Sequence, residues 1–230
     1  MSSFNLCAQI DSFAIDDIPM ARRVIMVEAG GIVMAPQNAF KRNVTDRMWG
    51  IGFGGLVQVK KAQPLFAGMS FGFANIDKLS SPVNIQYNTG FIEEWDSETK
   101  SSVFHLNLYS RYYIEIGTPA LNPFLELNTG GNLFYTTTTL SLPNSEETSS
   151  NLDESDFVLF YGGGFGASIA FSEGLYVSFS INYNLGLSAN YFVRERNSID
   201  PLYGETLDAF ELRKSATDMT KTNIVLTYSF

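Results

Sequence analysis

His105 is the only histidine in the 230-residue chain, and so the one side chain whose ordinary titration range lies near neutral pH. An imidazole of this kind acts as a general base when a serine or a carboxylate stands beside it. The positions two residues away on its face hold Val103 and Asn107, neither of which completes such a set, so a hydrogen-bonded interior histidine is expected. Glu28, Arg111 and Glu126 offer a different chemistry, charge pairing. A turn centred near Thr118 and Pro119 would put Arg111 and Glu126 each about seven or eight residues away from it and opposite one another. The runs Gly50-Ile51-Gly52-Phe53-Gly54-Gly55 and Gly162-Gly163-Gly164-Phe165-Gly166 imitate phosphate-binding loops, but no helix follows either to aim its amides at an anion. Asp153-Glu154-Ser155-Asp156 lacks the spacing of a calcium loop, and a lone cysteine, Cys7, can form no disulfide within the chain. No metal and no cofactor is expected.

These side chains need strands to hold them, because the chain alternates with a period of two. Leu175, Val177, Phe179, Ile181, Tyr183, Leu185 and Leu187 interleave with Tyr176, Ser178, Ser180, Asn182, Asn184, Gly186 and Ser188. No helical period fits that run. Trp49, Ile51, Phe53, Val57 and Val59 alternate with glycines and Gln58, and Leu65, Ala67, Met69, Phe71 and Phe73 alternate with Gly68, Ser70, Gly72 and Ala74. Noisier segments at Val24 to Ala35, Ser102 to Ile116, Pro123 to Thr138 and Phe157 to Phe171, with the C-terminal segment, bring the expected strands to eight. The charges within these spans, Glu28, Arg111, Glu115, Glu126 and Lys221, all take the parity opposite to the apolar stripe. A soluble barrel would turn its polar parity to water and load it with Lys and Glu, whereas here that parity is mostly Gly, Ser and Asn. Charge confined to the inside and an apolar face outside is what lipid demands.

Connection lengths agree. Lys60 to Pro64, Gly117 to Asn122 and Ser172 to Gly174 are tight, and they alternate strictly with longer stretches at Pro36 to Arg47, Asp77 to Ser101, Leu140 to Asp156 and Asn190 to Asp218. The chain closes on Ile224, Leu226, Tyr228 and Phe230, apolar at every second position with an aromatic at the end. That ending resembles the membrane-insertion signal of bacterial outer-membrane β-barrels. The whole pattern from about residue 23 is similar to the small eight-stranded barrels of Gram-negative bacteria. The resemblance implies an all-β, antiparallel up-and-down transmembrane barrel with short periplasmic turns, long extracellular loops and both termini in the periplasm. It also implies outer-membrane lipid and the barrel-assembly machinery as partners.

Residues 1–22 fit no barrel strand. Phe4-Asn5-Leu6-Cys7-Ala8-Gln9 resembles the end of an export signal cleaved after Ala8, a pattern similar to those of Bacteroidota envelope proteins. Net charge of −9, from 24 acidic against 15 basic residues, argues against nucleic acid as a partner. Recognition falls to the long connections. Val83, Ile85, Tyr87, Phe91 and Trp95 around Asn88-Thr89-Gly90 fit a projecting hairpin, and the last connection carries Tyr191, Phe192, Arg194 and Arg196, a mixture that serves contact surfaces or packs upon itself. Glu28, Arg111, Glu126 and His105 are expected to form a polar cluster filling a narrow lumen, since eight strands leave an interior just wide enough for side chains. The resulting expectation is a non-enzymatic barrel whose loops bind a ligand or accompany a larger secretion or uptake assembly. The alternatives are a lipid- or peptide-modifying enzyme using His105 and a narrow passive pore.

The C-terminal pattern carries a direct test. Replacing Phe230 by Ser, or deleting it, should lower the folded, membrane-inserted fraction read by heat-modifiable gel mobility, because an interfacial aromatic is lost. Unchanged insertion would show that the C-terminal residues have no such role.

Overall fold

The computed structural model describes residues 24–44, 46–61, 63–86, 90–116, 120–143, 148–195 and 206–230. Eight antiparallel strands close into a ring: β1 (Ile25–Pro36), β2 (Met48–Gln58), β3 (Leu65–Gln86), β4 (Ile92–Tyr113), β5 (Leu121–Ser141), β6 (Thr148–Ser172), β7 (Leu175–Gly186) and β10 (Met219–Ser229). Each pairs with its neighbour in sequence, and β1 meets β10 in a ladder running from Met26↔Ser229 to Pro36↔Met219. The ring therefore has no open edge within the eight-stranded part, so every ladder group there has a partner. The first β1 residue and the last β10 residue lie at one end of the barrel, together with the three tight connections.

The two parities separate as lipid requires. Ile224, Leu226, Tyr228 and Phe230 point outward, as do Leu127, Phe165 and Phe171, the last with 79% of its surface exposed. The opposite parity is buried in the lumen. Close approach explains two of its glycines: a Cβ on Gly72 would lie 2.6 Å from Ile32 Cδ1, and one on Gly166 would lie 2.4 Å from Phe124 Cζ. Both sites leave room for a large side chain in a narrow interior. Gly174, with φ of +71°, makes the tight turn between β6 and β7.

Two of the long connections are largely strand, and in the one at Asp77 to Ser101 the pairing of Val83 with Trp95 agrees with the hairpin expected there. The β3/β4 ladder continues past Asn75 to Gln86↔Ile92, and the β5/β6 ladder continues to Ser141↔Thr148, each with a bulge, at Asn75/Asp77 and Thr136/Thr137. Above the apolar belt water accepts polar and charged side chains on both faces, so Lys78, Glu94, Asp96 and Glu98 do not stop the ladder where the apolar alternation stops. In the other direction β4 stops at Tyr113, short of the expected Ile116. Beyond Asn75 one edge of β3 has no β2 partner. That edge carries Pro82, and the Lys78 amide donates to Asp77 Oδ1 at 2.8 Å, two features that discourage pairing with another chain.

The first long connection holds a short helix, α1 (Asn38–Asn43), and the last holds a hairpin of β8 (Ser188–Arg194) and β9 (Phe210–Ala216) with a 3-10 turn at Thr206–Ala209. The export-signal reading of residues 1–22, the hairpin tip at Tyr87 and Asn88-Thr89, the turn at 117–119, and Arg196 lie outside the described residues.

Candidate functional site

Arg111 and Glu126 face one another across the β4/β5 ladder, the register expected from their distances to the turn. Arg111 donates to Glu126 Oε2 through Nε at 3.2 Å and Nη2 at 3.0 Å, and reaches across the lumen to Glu28 Oε1 through Nη1 at 2.6 Å. Glu28 comes from β1, so the ion pairs tie two distant parts of the ring. The carboxylates are further satisfied: Glu28 accepts from the Tyr109 hydroxyl at 2.9 Å and from Thr227 at 3.2 Å, and Glu126 accepts from Asn182 Nδ2 at 3.0 Å. The Arg111 guanidinium lies over the Phe124 ring, 4.1 Å from its centroid, which favours the cation where water is scarce. All three charged side chains are buried, Arg111 with 3% of its surface exposed.

His105 is buried in the lumen and pairs across its strands with Gly72 and Asn132. It lies deeper in β4 than expected, because the strand begins at Ile92 rather than near Ser102. Its Nδ1 is 2.6 Å from Asn132 Oδ1, which makes Nδ1 the protonated nitrogen and leaves Nε2 to accept from Lys221 Nζ at 3.0 Å. Phe160 stacks on the ring at 4.6 Å between centroids. Among the described residues the hydrogen bonds of His105 go to an amide and an ammonium, and none goes to a hydroxyl or a carboxylate. Lys221 completes the ionic set: Glu28 and Glu126 are formally balanced by Arg111 and Lys221.

Apolar layers bound this polar middle on both sides. Toward the tight turns, Leu56, Phe66 and Tyr109 cluster with Val24, Met26 and Tyr113. Toward the long connections, Met34, Met48, Val103, Phe134, Val158 and Met219 from the barrel wall meet Phe40 of α1 and Tyr191 of β8. Phe40 packs edge-on against Phe134 at 5.9 Å and Tyr191 at 5.1 Å, and the Tyr191 hydroxyl accepts from Asn43 Nδ2 at 2.8 Å. The first and last long connections thus form one lid, closed by apolar burial and pinned by a hydrogen bond.

The structure brings together Glu28, Arg111 and Glu126, and places His105 in the same lumen through Lys221. Tyr191 is not a contact residue: with 2% of its surface exposed it is part of the lid, because its ring fills the space over Phe134. Phe192 likewise packs inward, against the cluster of Leu79, Ala209 and Phe210. Phe91 is 61% exposed, Trp95 is half-buried with its indole N–H donating to Glu93 at 3.1 Å, and Arg194 is half-buried. Sequence reasoning missed the partnership of Lys221, and it missed Phe40 and the three methionines of the lid. The signal was present for the methionines, since Met34, Met48 and Met219 are large apolar residues on the parity that is otherwise small and polar, all at the same end of their strands.

No protein-family model matches the chain, and no curated protein matches it. Among solved structures, a major outer membrane protein from Thermus thermophilus aligns with a TM-score of 0.51 and 12% identity over 90% of this chain and 99% of that one. Ail, the attachment invasion locus protein of Yersinia pestis, aligns at 0.44 with 10% identity over 91% and 99%. Neisserial surface protein A aligns at 0.41 with 9% identity over 90% and 95%. At such identities the likeness is one of fold. The chain is an eight-stranded transmembrane β-barrel with the architecture of bacterial outer-membrane barrel proteins, which supports an outer-membrane location.

The ionic core sets a stability prediction. Arg111→Ala leaves two buried carboxylates without their cation and should destabilise the barrel by about 3 to 5 kcal/mol. Adding Glu126→Ala should recover only part of that, because Glu28 then keeps just its Tyr109 and Thr227 donors. Urea midpoints of folded-band mobility measure both, and equal stability of the wild type and Arg111→Ala would deny the core any structural role.

Proposed function

We propose that the chain is a non-enzymatic outer-membrane anchor that does not conduct, and that its long-connection end, facing the cell exterior, presents a sheet to a protein partner. The observation that carries this reading is the lumen, filled by paired charges and bounded by apolar layers on both sides. A barrel built to pass solutes keeps a water column; this one spends its interior on side chains. The projecting ladder supports the second half. The stretch of β3 beyond Asn75 extends about 36 Å at the usual strand rise, so that β3 runs well past what a membrane span needs. Its partner β4 begins with exposed Ile92, preceded by exposed Phe91, and carries acidic Glu94 and Asp96 beside them. Apolar residues at the end of a charged projection are suited to insertion into a partner, such as a component of a larger secretion or uptake assembly. With the start of β1 and the last residues of β10 at the opposite end, taken to face the periplasm, insertion would depend on outer-membrane lipid and on the barrel-assembly machinery reading the segment from Ile224 to Phe230.

Replacing residues 80–98 by an Asn-Gly turn joins Leu79 to Thr99, cross-strand partners already, and should leave the barrel folded. The shortened protein, isolated from native membranes in mild detergent, should lose envelope proteins that accompany the full chain. Retention of the same set would place the contact elsewhere. In planar bilayers the full chain should show no large steady conductance; a stable open state would favour the pore reading. His105→Ala should change no lipid A or peptide modification, because His105 faces Lys221 and Asn132 rather than a nucleophile. An activity lost in that variant would restore the enzyme reading.

A further inference from the structure

Between Lys221 and the Glu28, Arg111 and Glu126 group lies a cavity of about 30 Å³, lined also by Asn107 and Tyr109. A water molecule needs roughly 10–15 Å³ of such space, which leaves room for about two. The groups around it have unmet demands. An ammonium has three N–H donors, and Lys221, 2% exposed, bonds only to His105 Nε2 among the described residues. Asn107, 1% exposed, donates from Nδ2 to Ser70 at 3.4 Å, while its Oδ1 has no partner among the described residues. Unpaired amide atoms on Asn128, Asn132, Asn182 and Asn184 lie in the same polar middle of the barrel. So many buried polar atoms do not go unpaired in a stable fold.

We propose that about two ordered water molecules occupy this cavity and bridge Lys221 Nζ and Asn107 Oδ1 to the carboxylates of Glu28 and Glu126. Water is the occupant that fits. A chloride would sit against two carboxylates, a metal cation would sit against Lys221 and Arg111, and the volume admits no larger solute. The bridge makes one charge-balanced network of what are otherwise two groups, the Arg111 ion pairs and the Lys221–His105 pair. Its apolar boundaries on either side keep those waters from exchanging into a continuous column.

Two measurements test this. A structure at a resolution that shows waters should place one or two of them about 2.7–3.2 Å from Lys221 Nζ, Asn107 Oδ1 and a carboxylate oxygen. Chloride, a direct Lys221–Glu126 contact or an empty cavity would overturn the bridge. Asn107→Leu gives an independent sign, measured in a Ser70→Ala background so that the bond to Ser70 is already absent. If water links Asn107 to Lys221, the substitution breaks the bridge and the urea midpoint falls. If the cavity is dry, the same change removes an unpaired amide and the midpoint rises or stays where it was.

Discussion

Closure of the sheet is the constraint from which everything else in this barrel follows. In hydrocarbon a backbone N–H or C=O without a partner has no water to turn to, so the edge of β1 has to meet the edge of β10, and the ring admits no exception across the membrane. Once the ring is closed, the pleat gives each side chain one of two fates. One parity meets lipid and is apolar from Leu175 to Leu187 without a break. The other is confined to a lumen too narrow for bulk water, and any polar group there must find its partner among the side chains opposite.

The interior answers that demand in layers. Charges are placed in the middle, where Arg111 can serve two carboxylates at once and Lys221 balances the remainder. Apolar side chains are placed toward the ends, where Phe40 and Tyr191 on one side and Phe66 and Leu56 on the other separate the polar middle from water. Removing one partner from such a network costs more than the pair contributes, because the orphaned charge stays buried. That asymmetry makes the core a device for holding one closed arrangement. It also holds His105 in place: its two nitrogens bond to Asn132 and Lys221, and its face stacks on Phe160.

Beyond the membrane the same ladders are released from lipid, and their side chains change character without a change of backbone. β3 through β6 run on as paired strands bearing Lys78, Glu94, Asp96 and Glu98, with Pro82 and the Asp77 side chain blunting the free edge. The last connection folds back onto the inner face of this extension, where Thr206 bonds to Ser97 at 2.7 Å and to Thr99 at 2.6 Å. A projecting sheet supported from inside by its own loop is more rigid than free loops would be.

The sequence by itself determined the strands of the barrel, which side of each meets lipid, and the pairing of Arg111 with Glu126. All three are local: period-two alternation is written along each strand, and a hairpin register follows from counting residues to a nearby turn. The extended ladders were harder to read, since alternation fades where both faces are wet. Only the tertiary structure decided that Lys221 reaches His105, that Glu28, expected in the same cluster, bonds directly to Arg111 across the lumen, and that Tyr191 closes the far end over Phe40 rather than facing a partner. The first two contacts join residues 116 and 83 positions apart. Such partners are chosen by the curvature of a closed ring, which fixes the strands that face one another across the lumen and the side chains that share a height, and no interval counted along the chain contains that information.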